Sequence, residues 1–382
     1  MAVSATYCAK LPNYVKLILL LLSFVVMLQM IWFYSKQGFI ALIFDTHDSK
    51  NAYLVMPDEG PNLSFLPNLA SISWPHHSRP NFTRRSVGTG FELTLSEGQH
   101  NSLERLLREF ERVMISLKLQ DQWFLAAGTL VGSLRHHEII PWDDDVDVCV
   151  DLRHRKSIQS ALQNLPPEFR TYAQSGRDKL FFRPIIENET VNSSTIGSFN
   201  YSHVPWAWPF VDILYFRRTG NDTAVEVMWE SKEYDLKQVF PVMYRPFGQH
   251  WYPAPRNPVS LLSTYYSSSK HLCMSTAYSH AAERSIPSSS VPCSSLFNQH
   301  AFVQRCPVAG YKRTWERLQF CAEHLVDGSG RSIHKIRTLL DPVEIESSFF
   351  AAKHTSFFVH RCVLVICSAN PSIHATIIAA NK

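Results

Sequence analysis

The sequence contains little glycine, little cysteine and no dense run of basic residues. Its 382 residues include only 14 glycines and eight cysteines. A collagen-like or glycine-linker protein would need far more glycine, and a disulfide scaffold would need more cysteine for this length. The formal net charge is only +4. So mild a balance does not favour nucleic-acid binding, and we expect no nucleic-acid partner.

The chain does contain enough apolar sequence to fold. Hydrophobic residues make up 45% of it and charged residues 18%, which excludes a fully disordered protein and supplies a sizeable core. At about 100–200 residues per domain, the length allows two or three units.

The longest apolar run predicts a membrane anchor. Residues 17–34, LILLLLSFVVMLQMIWFY, carry no charge, and at about 1.5 Å per residue a helix of this length just covers a hydrocarbon core of about 30 Å. Lys10 and Lys16 precede it, which predicts a cytosolic tail at residues 1–16 and a lumenal remainder. The alternative is a cleaved signal peptide, but its apolar part usually spans about 7–15 residues and ends in small residues, which do not follow Tyr34. We expect a single-pass type II protein of the Golgi or endoplasmic reticulum.

Glycosylation motifs agree with a lumenal location. Six N-x-S/T acceptors all follow the predicted anchor: Asn62, Asn81, Asn188, Asn192, Asn200 and Asn221. Such acceptors are used in secreted and lumenal proteins. The lumen is oxidising, so some cysteines are expected to pair. The candidates flank a serine-rich segment, and their pairing stays open: Cys273, Cys293 and Cys306.

The lumenal part divides into three segments by composition and periodicity. Residues 35–95 are rich in Pro, Asn, Ser and His and predict a stem. Residues 96–310 mix helical and strand patterns, which predicts an α+β catalytic domain. Residues 311–382 show no clear period. A capping box, Ser96 with Gln99, predicts where the first helix begins. A second helix is expected over Ser157–Leu165, and strands over Trp123–Ala127, Val146–Val150, Leu180–Ile186, Val211–Phe216 and Ala224–Trp229.

Four carboxylates lie within five residues: Asp143, Asp144, Asp145 and Asp147. Unpaired, they repel one another, and a divalent cation would remove this cost. Side chains two apart on a strand share a face, so Asp145 and Asp147 would point to one side and Asp143 would continue the row. Oxygen ligands favour Mg²⁺ or Mn²⁺ over Zn²⁺. The alternative is a solvated acidic turn.

Small residues precede the acids by about a dozen positions. Gly128, Thr129, Gly132 and Ser133 follow a predicted strand and open a predicted helix. There they would let a phosphate approach backbone N–H groups, although a tight turn explains glycines equally well. Arg135 can offer its guanidinium to a phosphate oxygen. Its alternative role is an ion pair with the acids.

The string GTLVGSLRHHEIIPWDDDVDV, which begins at Gly128, resembles the LicD family. This family includes bacterial phosphocholine transferases and animal fukutin and fukutin-related protein. Phe210-Val-Asp212-Ile resembles its later strand with a third acid, and Tyr252-Pro-Ala-Pro with Pro258–Tyr266 resembles its next segment. The similarity covers about residues 120–300. It implies a nucleotidyltransferase-like mixed sheet flanked by helices.

The resemblance also implies an activity. It implies a phosphotransferase that moves a phosphoalcohol, of the ribitol-phosphate or phosphocholine type, from a CDP-linked donor to a glycan or glycoprotein, with release of CMP. Asp145, Asp147 and Asp212 would be catalytic and would hold two Mg²⁺ (or Mn²⁺) ions, with Asp143 as a further ligand. Gly128, Thr129, Gly132, Ser133 and Arg135 would bind the nucleotide or its phosphates.

Two other functions remain open. Asp145-Val-Asp147 literally matches the D-x-D motif of nucleotide-sugar glycosyltransferases, although that motif usually ends an apolar strand and here the acids begin one. A non-catalytic lumenal scaffold of the same fold is the third possibility. The intact acids argue against it.

Overall fold

A computed structural model describes residues 68–72, 79–80, 90–186, 190–200, 204–220, 222–228, 232–266, 272–312 and 319–340. These residues belong to one compact unit that spans residues 53–355. Within these ranges no helix combines the length and apolar character that crossing a bilayer requires. The predicted tail and anchor, residues 1–34, lie outside the described residues.

A mixed seven-stranded sheet forms the centre of the unit. Its main strands run in the order β1-β2-β5-β4-β3, with β6 beside β5 and β7 beside β6. β2 and β5 are parallel, and the other neighbouring strands are antiparallel. The strands span Trp123–Leu125 (β1), Val146–Asp151 (β2), Phe169–Ala173 (β3), Arg177–Phe182 (β4), Phe210–Arg218 (β5), Thr223–Glu226 (β6) and Glu233–Asp235 (β7). The α+β fold class is confirmed, and so is the presence of the five predicted strands.

The first helix, α1, spans Glu97–Ser116 and begins as the capping box predicts. The Ser96 side chain accepts from the Gln99 backbone, and the Gln99 side chain accepts from the Ser96 backbone. Leu106, Phe110 and Met114 are fully buried on one side of the helix. This periodic apolar stripe drives the helix onto the sheet.

Three shorter α-helices follow α1 in the described residues. They span Ala127–Arg135 (α2), Arg155–Gln163 (α3) and Pro258–Tyr265 (α4). Helix α3 corresponds to the predicted helix Ser157–Leu165, but it begins and ends two residues earlier. Helix α4 begins at a proline, and the Asn257 side chain accepts from the Ser260 backbone. Proline suits the first turn because its missing N–H would have no helical partner there.

Smaller sheets surround the central one. β8 (Met243–Phe247) pairs with β9 (His250–Ala254), β10 (Leu272–Met274) with β13 (Ser290–Pro292), and β11 (Tyr278–Ser279) with β12 (Arg284–Ser285). Cys273 and Cys293 form a disulfide between β10 and the turn after β13, which settles part of the pairing that the sequence left open.

The last sheet lies in the region whose sequence showed no period. β14 (Phe302–Lys312), β15 (Gln319–Val326) and β16 (Ser332–Leu340) form an antiparallel three-stranded sheet. β14 therefore runs across the predicted boundary at residue 310. Residues 341–382 lie outside the described residues.

Candidate active site

The acidic residues gather where β2 begins, beside β5. In the register of this parallel pair, Asp147 lies opposite Asp212. Carboxylate oxygens of Asp145, Asp147 and Asp212 all lie within 4.8 Å of one another. The structure thus brings together the three predicted catalytic acids, although Asp212 lies 65 residues after Asp147 and 67 after Asp145 in sequence.

Helix α2 holds the acidic segment from one side. The Asp147 backbone N–H donates to Thr129 Oγ1 at 2.7 Å. A methyl group added at Gly128 would lie 2.8 Å from Asp143 Oδ2. The first turn of α2 therefore fixes the strand that carries the acids and leaves room for Asp143, which explains the small residues there.

The other small residues of α2 serve its packing. A methyl group at Gly132 would lie 2.5 Å from the Glu138 carbonyl oxygen, so only glycine allows this close approach. Ser133 is fully buried, and its hydroxyl donates to the Pro246 carbonyl at 3.0 Å. The sequence predicted that Gly132 and Ser133 open this helix, but helix α2 begins at Ala127, so these two residues lie in its later part. The Ser133 hydroxyl is already engaged inside the protein.

Arg135 closes helix α2 and is buried at 7% exposure. Burial, partly opposed by Tyr266, lowers the pKa of Arg135 to about 10. The guanidinium therefore stays charged at neutral pH, as a phosphate-binding role requires.

The pKa values of three carboxyl groups in the site are raised above their usual values. Burial, together with the neighbouring Asp145 and Asp144, raises the pKa of Asp143 to about 8. Burial also raises the pKa of Asp145 to about 6, against the opposing charge of His280. The pKa of Asp147 is raised well above its usual value by burial and by the charges of Asp145 and Asp212. Without a bound cation, burial and crowding therefore shift these three carboxyl groups toward the protonated form.

Three cations meet this acidic cluster. Arg177 Nη1 and Lys179 Nζ, both from β4, contact the two carboxylate oxygens of Asp212 at 2.6 Å each. His280 Nδ1 lies 2.7 Å from Asp144 Oδ1, and its Nε2 lies 3.2 Å from Asp145 Oδ2. Sequence reasoning missed all three residues, because none belongs to a motif that signals this contact.

His280 also anchors the chain turn around Asp144. The backbone N–H groups of His280 and Ala281 donate to Asp144 Oδ2, while Trp208 Nε1 donates to the Asp144 carbonyl at 2.6 Å. Asp144 is thereby tied to the protein on both its side chain and its backbone.

The donor set fits a hard divalent cation. Asp145, Asp147 and Asp212 form one group that could hold a metal ion, and Asp144, Asp145 and His280 form a second. Carboxylate oxygens suit Mg²⁺ and Mn²⁺. The carboxyl groups with raised pKa are those that a cation would let ionise.

The predicted glycosylation acceptors fall partly within the described residues. Asn192 and Asn200 are exposed, which a glycan would need. The remaining four lie outside the described residues: Asn62, Asn81, Asn188 and Asn221.

Comparison with known proteins identifies the domain that carries the site. Residues 120–257 match the family model described as the LicD/FKTN/FKRP nucleotidyltransferase domain. Comparison with curated proteins finds no significant match. The matched range contains α2, Asp145 and the strands that bear Asp147 and Asp212, while His280 follows it. The resemblance to this family is thus confirmed for residues 120–257, which are similar to its nucleotidyltransferase domain.

Proposed function

We propose that this protein is a metal-dependent phosphotransferase that moves a phosphoalcohol from a CDP-linked donor to a glycan or glycoprotein and releases CMP. The observation that carries the proposal is the convergence of Asp145, Asp147 and Asp212 within 4.8 Å in a domain of this family. The phosphoalcohol is of the ribitol-phosphate or phosphocholine type, as the family resemblance implies.

The reaction exchanges one phosphorus–oxygen bond for another. An acceptor hydroxyl oxygen attacks the phosphorus that bears the alcohol, and the bond from this phosphorus to the bridging oxygen breaks. CMP leaves with that oxygen, and the hydroxyl proton passes to a carboxylate of the site. Asp145, Asp147 and Asp212 would hold Mg²⁺ or Mn²⁺, which when bound would supply positive charge for the phosphate oxygens.

The other residues position this chemistry. Thr129 fixes the backbone of Asp147, and Gly128 leaves room for the Asp143 carboxyl group. The Asp143 carboxyl lies beside the first turn of α2, and burial with the neighbouring Asp145 raises its pKa. Arg135 is a candidate cation for a donor phosphate.

The cellular setting is part of the proposal. A type II anchor at residues 17–34, with Golgi or endoplasmic-reticulum location, would place the catalytic domain in the lumen with its glycan acceptors. Six N-x-S/T acceptors after the anchor support this. Protease protection of the full-length chain in intact microsomes, with glycosidase digestion of the same samples, tests it. Cleavage without detergent, together with unmodified acceptors, would contradict the lumenal location.

The decisive experiment identifies the nucleotide product. Full-length chain purified in detergent would be incubated with Mg²⁺ or Mn²⁺, mixed glycan acceptors, and either CDP-alcohols or UDP- and GDP-sugars. Acceptor-dependent CMP, detected by mass spectrometry, is the expected product. Asp145→Asn should abolish it, because the substitution removes a charged ligand. Asp121→Asn, a change to an exposed acid outside the site, is the matched control and should leave it intact.

Two outcomes would replace the proposal. Release of UDP or GDP would assign the protein to the nucleotide-sugar glycosyltransferases that the D-x-D motif also matches. Absence of any nucleotide product, with equal Mn²⁺ binding by wild type and Asp145→Asn, would favour a non-catalytic scaffold.

A further inference from the structure

We infer that this site takes one divalent cation, and that Lys179 and Arg177 supply the positive charge that a second cation would otherwise bring. The inference rests on the proposed metal-dependent function and differs from the pair of ions that the sequence resemblance implies. It starts from the ion pairs of Asp212.

Asp212 is the one acid of the three whose two oxygens are both held by cations. Lys179 Nζ lies 2.6 Å from Oδ1, and Arg177 Nη1 lies 2.6 Å from Oδ2. The side chains of Asp212 and Lys179 are completely buried. Charge-assisted hydrogen bonds this short are strong, and a buried charge without its partner is costly. Each Asp212 oxygen therefore already contacts a cation, and any metal ion that Asp212 binds shares that oxygen with Lys179 or Arg177.

The two cations are built into the sheet. Lys179 lies opposite Asp212 in the antiparallel register of β4 and β5. Its Nζ lies 3.3 Å from the centre of the Phe210 ring and 5.2 Å from that of Trp206. These contacts stabilise the ammonium group and hold it in place. Arg177 lies two residues earlier on the same strand face, and its Nε donates to Gln174 Oε1 at 2.7 Å.

The charges of the remaining two carboxylates would balance one divalent ion. Asp145 and Asp147 carry two negative charges when ionised, and neither contacts a lysine or arginine in the part of the chain that the structure describes. A second divalent ion would lie near Lys179 and Arg177, and also near His280 beside Asp145. Repulsion between like charges in this buried place would oppose it.

Arg177 has a further role available to it. Its side chain is 18% exposed, in contrast to the buried Lys179. A guanidinium has five N–H donors in a fixed fork, so Arg177 can contact Asp212 and still offer N–H groups to a phosphate oxygen. Lys179 is therefore a positioning residue for Asp212.

The test counts ions rather than turnover. Mn²⁺ would be titrated into full-length chain in detergent without donor, and free Mn²⁺ would be followed by electron paramagnetic resonance. We expect one ion per wild-type chain. Lys179→Met removes the internal charge and should admit a second ion or lower the dissociation constant of the first at least threefold. Lys179→Arg keeps the charge and should keep one ion.

Because Lys179 is buried, circular dichroism would check that Lys179→Met folds. Arg177→Gln, at the partly exposed position, is the second variant and should change Mn²⁺ binding in the same direction. Two ions or none on the wild type would overturn the inference, as would wild-type Mn²⁺ binding by every folded variant that lacks a charge. One ion without CMP release from any donor would overturn the proposed function and leave this inference standing.

Discussion

Asp147 and Asp212 occupy paired positions on β2 and β5, which are adjacent and parallel. Both strands lie inside the central sheet, so the backbone hydrogen bonds of the sheet hold the two carboxyl groups together rather than a flexible loop. A site built on strands keeps its geometry before any ligand arrives. The changes below test this arrangement and the parts of the fold that support it.

Gly128→Ala should damage the site while leaving the fold intact. The added methyl group would lie 2.8 Å from Asp143 Oδ2, so the Asp143 side chain must move. We expect Mn²⁺ affinity to fall about tenfold, which corresponds to about 1.4 kcal/mol, measured by titration. At Gly90 an added methyl group meets nothing within 4 Å, so Gly90→Ala is the control. Equal affinities in the two variants would argue against a supporting role for Asp143.

Glu323→Gln should strongly destabilise the unit. Glu323 is fully buried and joins the C-terminal sheet to the catalytic part. Its oxygens contact Arg245 Nη2 at 2.7 Å, Arg305 Nη2 at 2.7 Å and His137 Nε2 at 2.9 Å. Removing one member of such a buried network typically costs about 3–5 kcal/mol. Denaturant unfolding of wild type and variant would measure the free energy of unfolding.

A matched control for Glu323→Gln is Glu168→Gln. Glu168 pairs with Arg105 at 3.3 Å, and both side chains are about half exposed. Exposed pairs contribute about 0–1 kcal/mol. A loss at Glu323 no larger than the loss at Glu168 would show that the network does not hold the C-terminal sheet in place.

Glu226→Gln should change how stability depends on pH. Burial raises the pKa of Glu226 to about 7, while the hydrogen bonds from Tyr265 and Cys149 oppose this rise. The folded state therefore binds more protons than the unfolded state between about pH 4.5 and pH 7, and wild-type stability should fall as pH rises through this range.

Glutamine carries no proton to lose. The variant should match wild type near pH 5 and exceed it near pH 8, by up to about 3 kcal/mol. Chemical unfolding at both pH values checks this. An unchanged difference between variant and wild type at the two pH values would contradict the assigned burial of Glu226.

Removing the disulfide should destabilise the fold. Cys273 and Cys293 are 20 residues apart in sequence. Closing a loop of this size lowers the entropy of the unfolded chain, which raises its free energy by about 3 kcal/mol. The double Cys273→Ser, Cys293→Ser variant should lose about that much stability, measured by denaturant unfolding under non-reducing conditions. A reducing agent should destabilise wild type and leave the double variant unchanged. A wild type insensitive to reduction would argue against the pairing.

Local sequence patterns predicted the elements that depend on neighbouring residues. The capping box at Ser96 and Gln99 predicted the start of α1, because a cap is satisfied within one helical turn. The alternation of Val146, Asp147 and Val148 predicted β2, because side chains alternate between the faces of a strand. The position of α2 was less well predicted: its start at Ala127 places Gly132 and Ser133 in its interior.

The sequence by itself determined the resemblance to the LicD family and the acidic motif, because both depend on the contiguous residues from Gly128 to Asp147 and on the short segment around Asp212. Only the tertiary structure decided what meets these acids. Lys179 reaches Asp212 through strand pairing, His280 reaches Asp144 from 136 residues away, and Glu323 ties a sheet without sequence periodicity to the catalytic unit. Contacts between distant residues depend on how strands pair and pack, and no local pattern encodes that.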